Sequence, residues 1–311
     1  MTERVSPSPP PPLTRDPARV GGYDLLMPLA SGGLGRVYLA RRRGQVIAMK
    51  RAHPHLLVSP TVRASFLAED AALRSLEHPH VVRGIGLVDA GGELAVLLEY
   101  VHGVSLAYLL DRAHQLGESI PPAIVGRIGQ DLSAALSATH ARGLAHADVN
   151  PRNVLVGVDG VTKLCDFGLA CAESTALVPS MRGTLAYAAP ETLRSGAIDR
   201  RSDVFSAAAT LWEAYRVERL FRGASDPETL RNIVERPARA LDENRPELSA
   251  LAAVLSPALA RDPGERTPTA ALLGERLGER PTATRAEVAE LVVAWARAEL
   301  ERRELAMRAS S

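Results

Sequence analysis

Cysteine is nearly missing from this chain: Cys165 and Cys171 are the two in 311 residues. They fit no zinc-ligand or CxxC spacing, and a chain of this size does not rest on a disulfide framework. A reducing cytoplasm is the expected compartment. Net charge is also missing, with 37 Lys and Arg against 36 Asp and Glu. That balance argues against a nucleic-acid or membrane-surface partner recognised through bulk charge. No apolar run reaches the roughly 18 residues of a membrane-spanning helix. The opening MTERVSPSPPPPLTRDP has no apolar centre and does not read as a signal peptide. No internal repeat is evident.

What is present is a substantial apolar fraction, 46%, enough for a large core. Residues 1–20 are Pro-rich and polar, so a disordered tail is expected there, with binding to an aromatic-lined partner domain as the alternative. From Tyr23 the pattern turns globular. Short β-type runs come first, including RVYLA at 36–40 and QVIAMKR at 45–51. Ser59-Pro60 then marks a helix start, and Phe66, Glu69, Leu73 and Leu76 fall on one helical face. Two more strands are predicted near 82–88 and 94–100. Beyond Gly103 the chain is Ala- and Leu-rich and helical. Pro121-Pro122 opens a long helix with Ile124, Ile128, Leu132, Ala135 and Leu136 on one face. After Pro281, Thr284 and Glu287 form a capping box, followed by an apolar stripe of Val288, Leu291, Val292 and Trp295. This predicts an extra helix docked on the domain, or one that binds a partner.

Four stretches carry chemistry. In LASGGLGRVYLA, 29–40, Gly32, Gly33 and Gly35 join two strand-like runs. Such a turn lets backbone N–H groups approach phosphates closely, although a plain glycine-rich hairpin has the same letters. In VIAMK, strand alternation puts Val46, Ala48 and Lys50 on one face. A small Ala beside a Lys leaves room for a flat base and sets a charge on phosphates. A surface lysine fits the same pattern. An inward lysine needs an anion, and Glu69 supplies one from the apolar face of the next helix, where an unpaired carboxylate is costly. In CDFGLA, Asp166 follows an apolar run and precedes Phe167-Gly168; it suits Mg²⁺ held through phosphate oxygens, or a strand-ending turn. HADVNPRN, 146–153, sets Asp148 and Asn153 at a spacing suited to a base and a metal ligand.

In order and spacing these pieces resemble the protein-kinase signature set. The chain resembles the bacterial branch of eukaryotic-like Ser/Thr protein kinases over residues 23–275. The stretches that carry the resemblance are GGLGRVY, VIAMK, LAEDAALRSLEHPHVV, LLEYVHGVSL, HADVNPRNVLV, CDFGLA, GTLAYAAPE, RSDVFS and RDPGERTPTA. The resemblance implies an α+β, bilobal fold. A five-stranded N-lobe with one helix would span 23–101 and a helical C-lobe 102–278, with 281–311 as a helical extension. It implies ATP and Mg²⁺ in the cleft and Ser or Thr hydroxyls of proteins as acceptors.

The same resemblance assigns roles. Leu29, Ala30, Ser31, Gly32, Gly33, Leu34, Gly35, Arg36 and Val37 would form the loop over the nucleotide. Val37 and Ala48 would sandwich adenine against Leu155. Leu98 would be the gatekeeper, and Glu99 to Val101 the hinge that meets the adenine edge. Lys50, oriented by Glu69, would hold the α- and β-phosphates. Asp166 and Asn153 would hold Mg²⁺, and Asp148 would accept the hydroxyl proton. Glu191 and Arg266 resemble the family's buried ion pair, and Asp203 the acid that braces the catalytic loop.

Three positions depart from the family pattern. Ala30 replaces the first glycine of the loop, where little backbone freedom is needed. Ala147 replaces the Arg before the catalytic Asp, which implies no control through a phosphorylated loop residue at that contact; Ser174, Thr175 and Ser180 are the candidate loop sites. Asn150 replaces a phosphate-contacting Lys. Arg152 sits where tyrosine kinases carry an Arg, so either it restores the missing cation or it faces solvent. Thr184 in GTLAY favours Ser/Thr acceptors. Cys165 would line the pocket as a small packed thiol, or as a reactive one. These departures keep open a pseudokinase that serves as a nucleotide-binding interaction module. A small-molecule phosphotransferase is the third reading, opposed by GTLAYAAPE, which resembles a protein-substrate platform.

Overall fold

A computed structural model describes residues 18–172, 175–176 and 185–309. The stretch 1–17 and the loop residues Ser174, Ser180 and Thr184 lie outside the described residues.

The N-terminal lobe is one antiparallel sheet packed on one helix. Its strands are β1 (Arg19–Val20), β2 (Tyr23–Ser31), β3 (Gly35–Arg42), β4 (Gln45–Ala52), β5 (Gly84–Ala90) and β6 (Glu93–Glu99), in the order β1-β2-β3-β4-β6-β5. β3 and β4 stay in register from Gly35 opposite Ala52 to Arg42 opposite Gln45. Arg43 and Gly44 join them with positive φ, 49° and 80°, the backbone twist a two-residue hairpin needs. The sheet therefore has six strands where the sequence predicts five, and it begins before Tyr23. The extra strand is two residues long, too short to show alternation. Gly21 and Gly22, both at positive φ, fold it back so that Val20 is buried beside Ile47 and Met49.

Helix α1 (Pro60–Ser75) has Pro60 at its first position, but the Ser59 hydroxyl makes no capping bond. It buries Phe66, Glu69 and Leu73 and packs on β5 and β6. Leu76, just past the helix end, is buried too.

The C-terminal lobe continues with β7 (Gly103–Ser105), α2 (Leu106–Leu116), α3 (Pro122–His140), β8 (Leu144–Ala145), β9 (Val154–Gly157) and β10 (Thr162–Leu164). Then come β11 (Cys171–Ala172), β12 (Thr175–Ala176), α4 (Pro190–Ser195), β13 (Ala197–Ile198) and α5 (Arg200–Arg216). α6 (Asp226–Glu235), α7 (Ser249–Ala258), α8 (Ala270–Gly278) and α9 (Arg285–Arg308) complete the fold. The predicted face of α3 is buried at Ile124, Ile128, Leu132, Ala135 and Leu136. Each large aliphatic side chain removed from water there contributes about 1.5–3 kcal/mol. α5 is buried nearly all round, from Ser202 to Tyr215, and serves as the post on which the lobe is assembled. The small sheet β10-β9-β7 lies under the cleft and presents the loop 146–153 and Asp166 to it.

The capping box of α9 is formed: Thr284 N–H donates to Glu287 Oε2 at 2.7 Å, and Glu287 N–H to Thr284 Oγ1 at 3.3 Å. Val288, Val292, Ala296 and Leu300 form its buried stripe, with Leu291 and Trp295 partly buried.

Candidate active site

Strand β4 points Lys50 inward, and α1 brings Glu69 to meet it. Lys50 Nζ donates to Glu69 Oε2 at 2.6 Å and to Asp166 Oδ1 at 2.6 Å. The Glu69 carboxylate is fully buried and the Lys50 side chain only 11% exposed. A charge left alone there would cost several kcal/mol, so the three groups hold one another in place. Burial alone would lower the Lys50 pKa, but the two carboxylates outweigh it and keep the amine charged well beyond neutral pH. Burial pushes Asp166 up, and the Lys50 charge more than reverses this, leaving it below the usual carboxylate range. Gly168 lies close against this cluster: a Cβ would sit 3.1–3.2 Å from Lys50 Nζ, Asp166 Oδ1 and Glu69 Oε2, so an alanine would press on all three. Ser65 Oγ, from α1, donates to Gly168 O at 2.7 Å and ties the helix to the same turn.

The loop 146–153 is braced from below. Asp203, at the start of α5, accepts from His146 N–H at 2.8 Å and from Ala147 N–H at 2.9 Å. His140 Nε2 lies 2.8 Å from the same carboxylate. Ala147 and Asp166 both have φ near +65°, a conformation that costs a side-chain-bearing residue of order 1–3 kcal/mol. At Ala147 the Asp203 bonds offset that cost. The His146 ring meets Phe167 edge-on at 4.6 Å, and burial keeps its pKa below normal.

Asp148 is held by two amides. Asn153 Nδ2 donates to Asp148 Oδ2 at 2.9 Å and to Asp148 O at 2.8 Å. Asn150 Nδ2 donates to Asp148 Oδ1 at 3.0 Å and to the same carbonyl at 3.0 Å. Burial, then the Asp166 charge, push the Asp148 pKa up to about 8, while both amides pull it back. In the sequence Asn150 reads only as a lost cation; its role in holding Asp148 has no signature there. Arg152 is exposed, and its charge acts on Tyr187.

The glycine-rich segment closes the β2–β3 hairpin. Ala30 sits opposite Val37, just past a β-bulge at Pro28, and its φ is not positive, so the backbone there does not call for glycine. Gly35 does need to be glycine, since a Cβ would lie 2.2 Å from Arg51 O. Gly32 N–H donates to Gly35 O at 2.9 Å, and His53 Nε2 lies 3.0 Å from Gly32 O, a contact the sequence does not announce. Ala48 and Leu98 are buried, with Leu29, Leu34, Val37, Val101 and Leu155 partly buried around them. Ser31 and Arg36 pair across the hairpin mouth. The Glu99 side chain accepts from Lys163 Nζ at 2.6 Å and from Arg83 N–H at 2.8 Å. Cys165 is driven far above the usual thiol range by burial and by Asp166, which favours the packed-thiol reading over a reactive one. Below the cleft, Arg266 makes a two-pronged bond to Glu191, at 2.7 and 2.9 Å, with its side chain fully buried.

Comparison with known proteins agrees with this geometry. The chain is 30% identical over 274 residues to the tyrosine-protein kinase MasK of Myxococcus xanthus, covering 83% of this chain and 42% of that one. It is 32% identical over 271 residues to the serine/threonine-protein kinase PknF of Mycobacterium tuberculosis, covering 83% of this chain and 56% of that one. It thus spans about half the length of these relatives. The crystal structure of the PknI kinase domain of the same organism superposes with a TM-score of 0.65 at 27% identity, covering 83% of this chain and 96% of that chain. The sequence model of the protein kinase domain matches residues 23–277, and the chain belongs to that family.

Proposed function

We propose that this chain transfers the γ-phosphoryl group of Mg-ATP to Ser or Thr hydroxyls of protein substrates. The observation that carries the reading is the catalytic loop itself, where Asp148 is oriented by two amides while Lys50, Glu69 and Asp166 are linked next to it. The donor set suits Mg²⁺. Asp166 is ionised at neutral pH, and Asn153 uses its Nδ2 on Asp148, which leaves Oδ1 as a hard oxygen donor. Among the described residues no three His, Cys, Asp or Glu side chains cluster to cage a metal. A cation here would therefore share phosphate oxygens, which is how Mg²⁺ is usually bound in such sites. When bound, the metal supplies neutralisation of charge on the phosphates.

The chain's own residues do the positioning. Lys50 places a cation on the α- and β-phosphates, and Glu69 fixes where that cation points. The hairpin 29–37 covers the phosphates, and its lining with Ala48 and Leu155 encloses the base. Peptide groups of Glu99 and Val101 meet the adenine edge, behind the Leu98 gatekeeper. Asp148 orients the incoming hydroxyl and takes its proton. Catalysis of this type is mostly alignment and charge stabilisation. Arg152 supplies, from the acceptor side, the cation that Asn150 lacks. The Ser/Thr assignment follows the PknF relative, against the tyrosine-kinase name of MasK.

The test is label transfer from γ-labelled ATP to a generic protein acceptor, followed by phosphoamino-acid analysis, for the wild type and Asp148→Asn. The substitution should lower kcat by about 10²–10⁴-fold, the range for loss of a positioned base. A folded wild-type chain that binds nucleotide but transfers nothing to any acceptor would favour a pseudokinase. Phosphotyrosine as the product would overturn the acceptor class.

A further inference from the structure

Helix α9 does more than extend the C-lobe. Its 24 residues reach about 36 Å. Its start is pinned to the C-lobe: a Cβ on Gly160 would lie 1.9 Å from Arg285 O, and Arg112 Nε donates to Trp295 O at 3.2 Å. It then packs on α2, α3, β7 and β9, and finally on β2 of the other lobe. The segment between the lobes, Tyr100–His102, and the β7 residue Gly103 where it ends lie beneath its last turns. There Arg303 Nη1 donates to Gly103 O at 2.6 Å, and its charge acts on the Tyr100 phenol. Glu299, one turn earlier, grips the other edge of the guanidinium at 2.7 Å. Glu304 lies 3.9 Å from His102. Beyond the hinge, Arg41 Nη1 from β3 donates to Met307 O at 2.9 Å, so a side chain of the N-lobe binds the helix's C-terminal carbonyls.

We infer that α9 is a strap across the back of the hinge, in which Arg303 is a positioning residue that fixes Tyr100–Gly103 and thereby the nucleotide pocket on the opposite side. Three features require this arrangement rather than simple packing. The helix is anchored in both lobes. The Arg303 hydrogen bond goes to a backbone carbonyl, that of Gly103, which sets chain position. Arg303 is itself oriented by Glu299 rather than free to follow the hinge. The kinetic part of the inference rests on the kinase reading above; the structural part does not.

The experiment uses the full chain with Arg303→Ala, Arg303→Lys and Arg41→Ala. Hydrogen exchange is followed at residues 99–104, together with binding of a fluorescent ATP analogue, kcat and KM for ATP, and thermal unfolding. Losing a charged hydrogen bond to the hinge should speed exchange at 99–104 by about tenfold in Arg303→Ala. KM for ATP should rise roughly three- to tenfold with kcat within about twofold, as expected for lost ground-state binding. Arg303→Lys should recover part of both effects. Arg41→Ala should speed exchange at the end of α9 and move KM less. Unchanged hinge exchange and nucleotide affinity in Arg303→Ala would overturn the inference. So would a matched fall in kcat, affinity and unfolding temperature, which would make Arg303 merely structural. A wild type that transfers no phosphate would count against the kinase reading alone, because hinge exchange still decides the strap.

Discussion

The two halves of the candidate site handle charge in different ways. At Lys50, Glu69 and Asp166, one ammonium bridges two carboxylates at 2.6 Å, with Glu69 fully buried and pushed up to a pKa of about 7 by that burial. At the loop 146–153, one carboxylate is held by two neutral amides, and the positions where the family pattern carries cations are Ala147 and Asn150. The first half cannot lose Lys50 without stranding a buried carboxylate. The second lacks its usual cations without stranding any charge, because the amides that hold Asp148 are neutral. The departures of this sequence fall where the structure absorbs them.

The comparison can be broken most severely at the charged half. Lys50→Met leaves Glu69 buried without its partner, and should cost about 3–5 kcal/mol in denaturant unfolding, along with at least about a hundredfold in transfer. Stability equal to wild type would show that Glu69 is not ionised there. Next comes Asn150→Ala. The amide favours ionised Asp148, whose pKa stands at about 8. A base works when ionised, so transfer should rise as pH passes through that value. Removing a donor to the ionised form should move this limb to higher pH, lowering kcat/KM for the acceptor at pH 7 by about tenfold. A pH–rate profile superposable on wild type would assign Asn150 to the loop turn alone. The smallest effect is expected at Arg152→Ala, about fivefold in kcat, because its side chain is exposed and screened. Unchanged transfer would mean that nothing replaces the missing lysine.

Much of this site was legible because its parts are local. Ala48 and Lys50 share a face by strand alternation, Glu69 joins Phe66 and Leu73 by helical period, and Thr284 with Glu287 announces a helix start; each pattern fits within a few residues. The lobes and the pairing of Lys50 with Glu69 followed from them. What stayed hidden depends on contacts that sequence spacing does not encode. β1 exists because Gly21 and Gly22 turn Val20 onto Ile47 and Met49. Asn150 helps to hold Asp148 only because the loop curls back on itself. The bonds from Arg303 to Gly103 and from Arg41 to Met307 span 200 and 266 residues of chain. Such bonds depend on how a finished lobe sits, and an apolar stripe on α9 says only that one face is covered.

The family match ends at residue 277, but the folded unit does not. Gly160 is shaped to receive the backbone at Arg285, and the hinge carbonyl at Gly103 receives its donor from residue 303. Anyone trimming this chain for expression, crystallisation or inhibitor screening should place the cut beyond Arg308. A protein cut at the family boundary would keep every residue of the signature motifs, yet its ATP pocket would stand on an unsupported hinge.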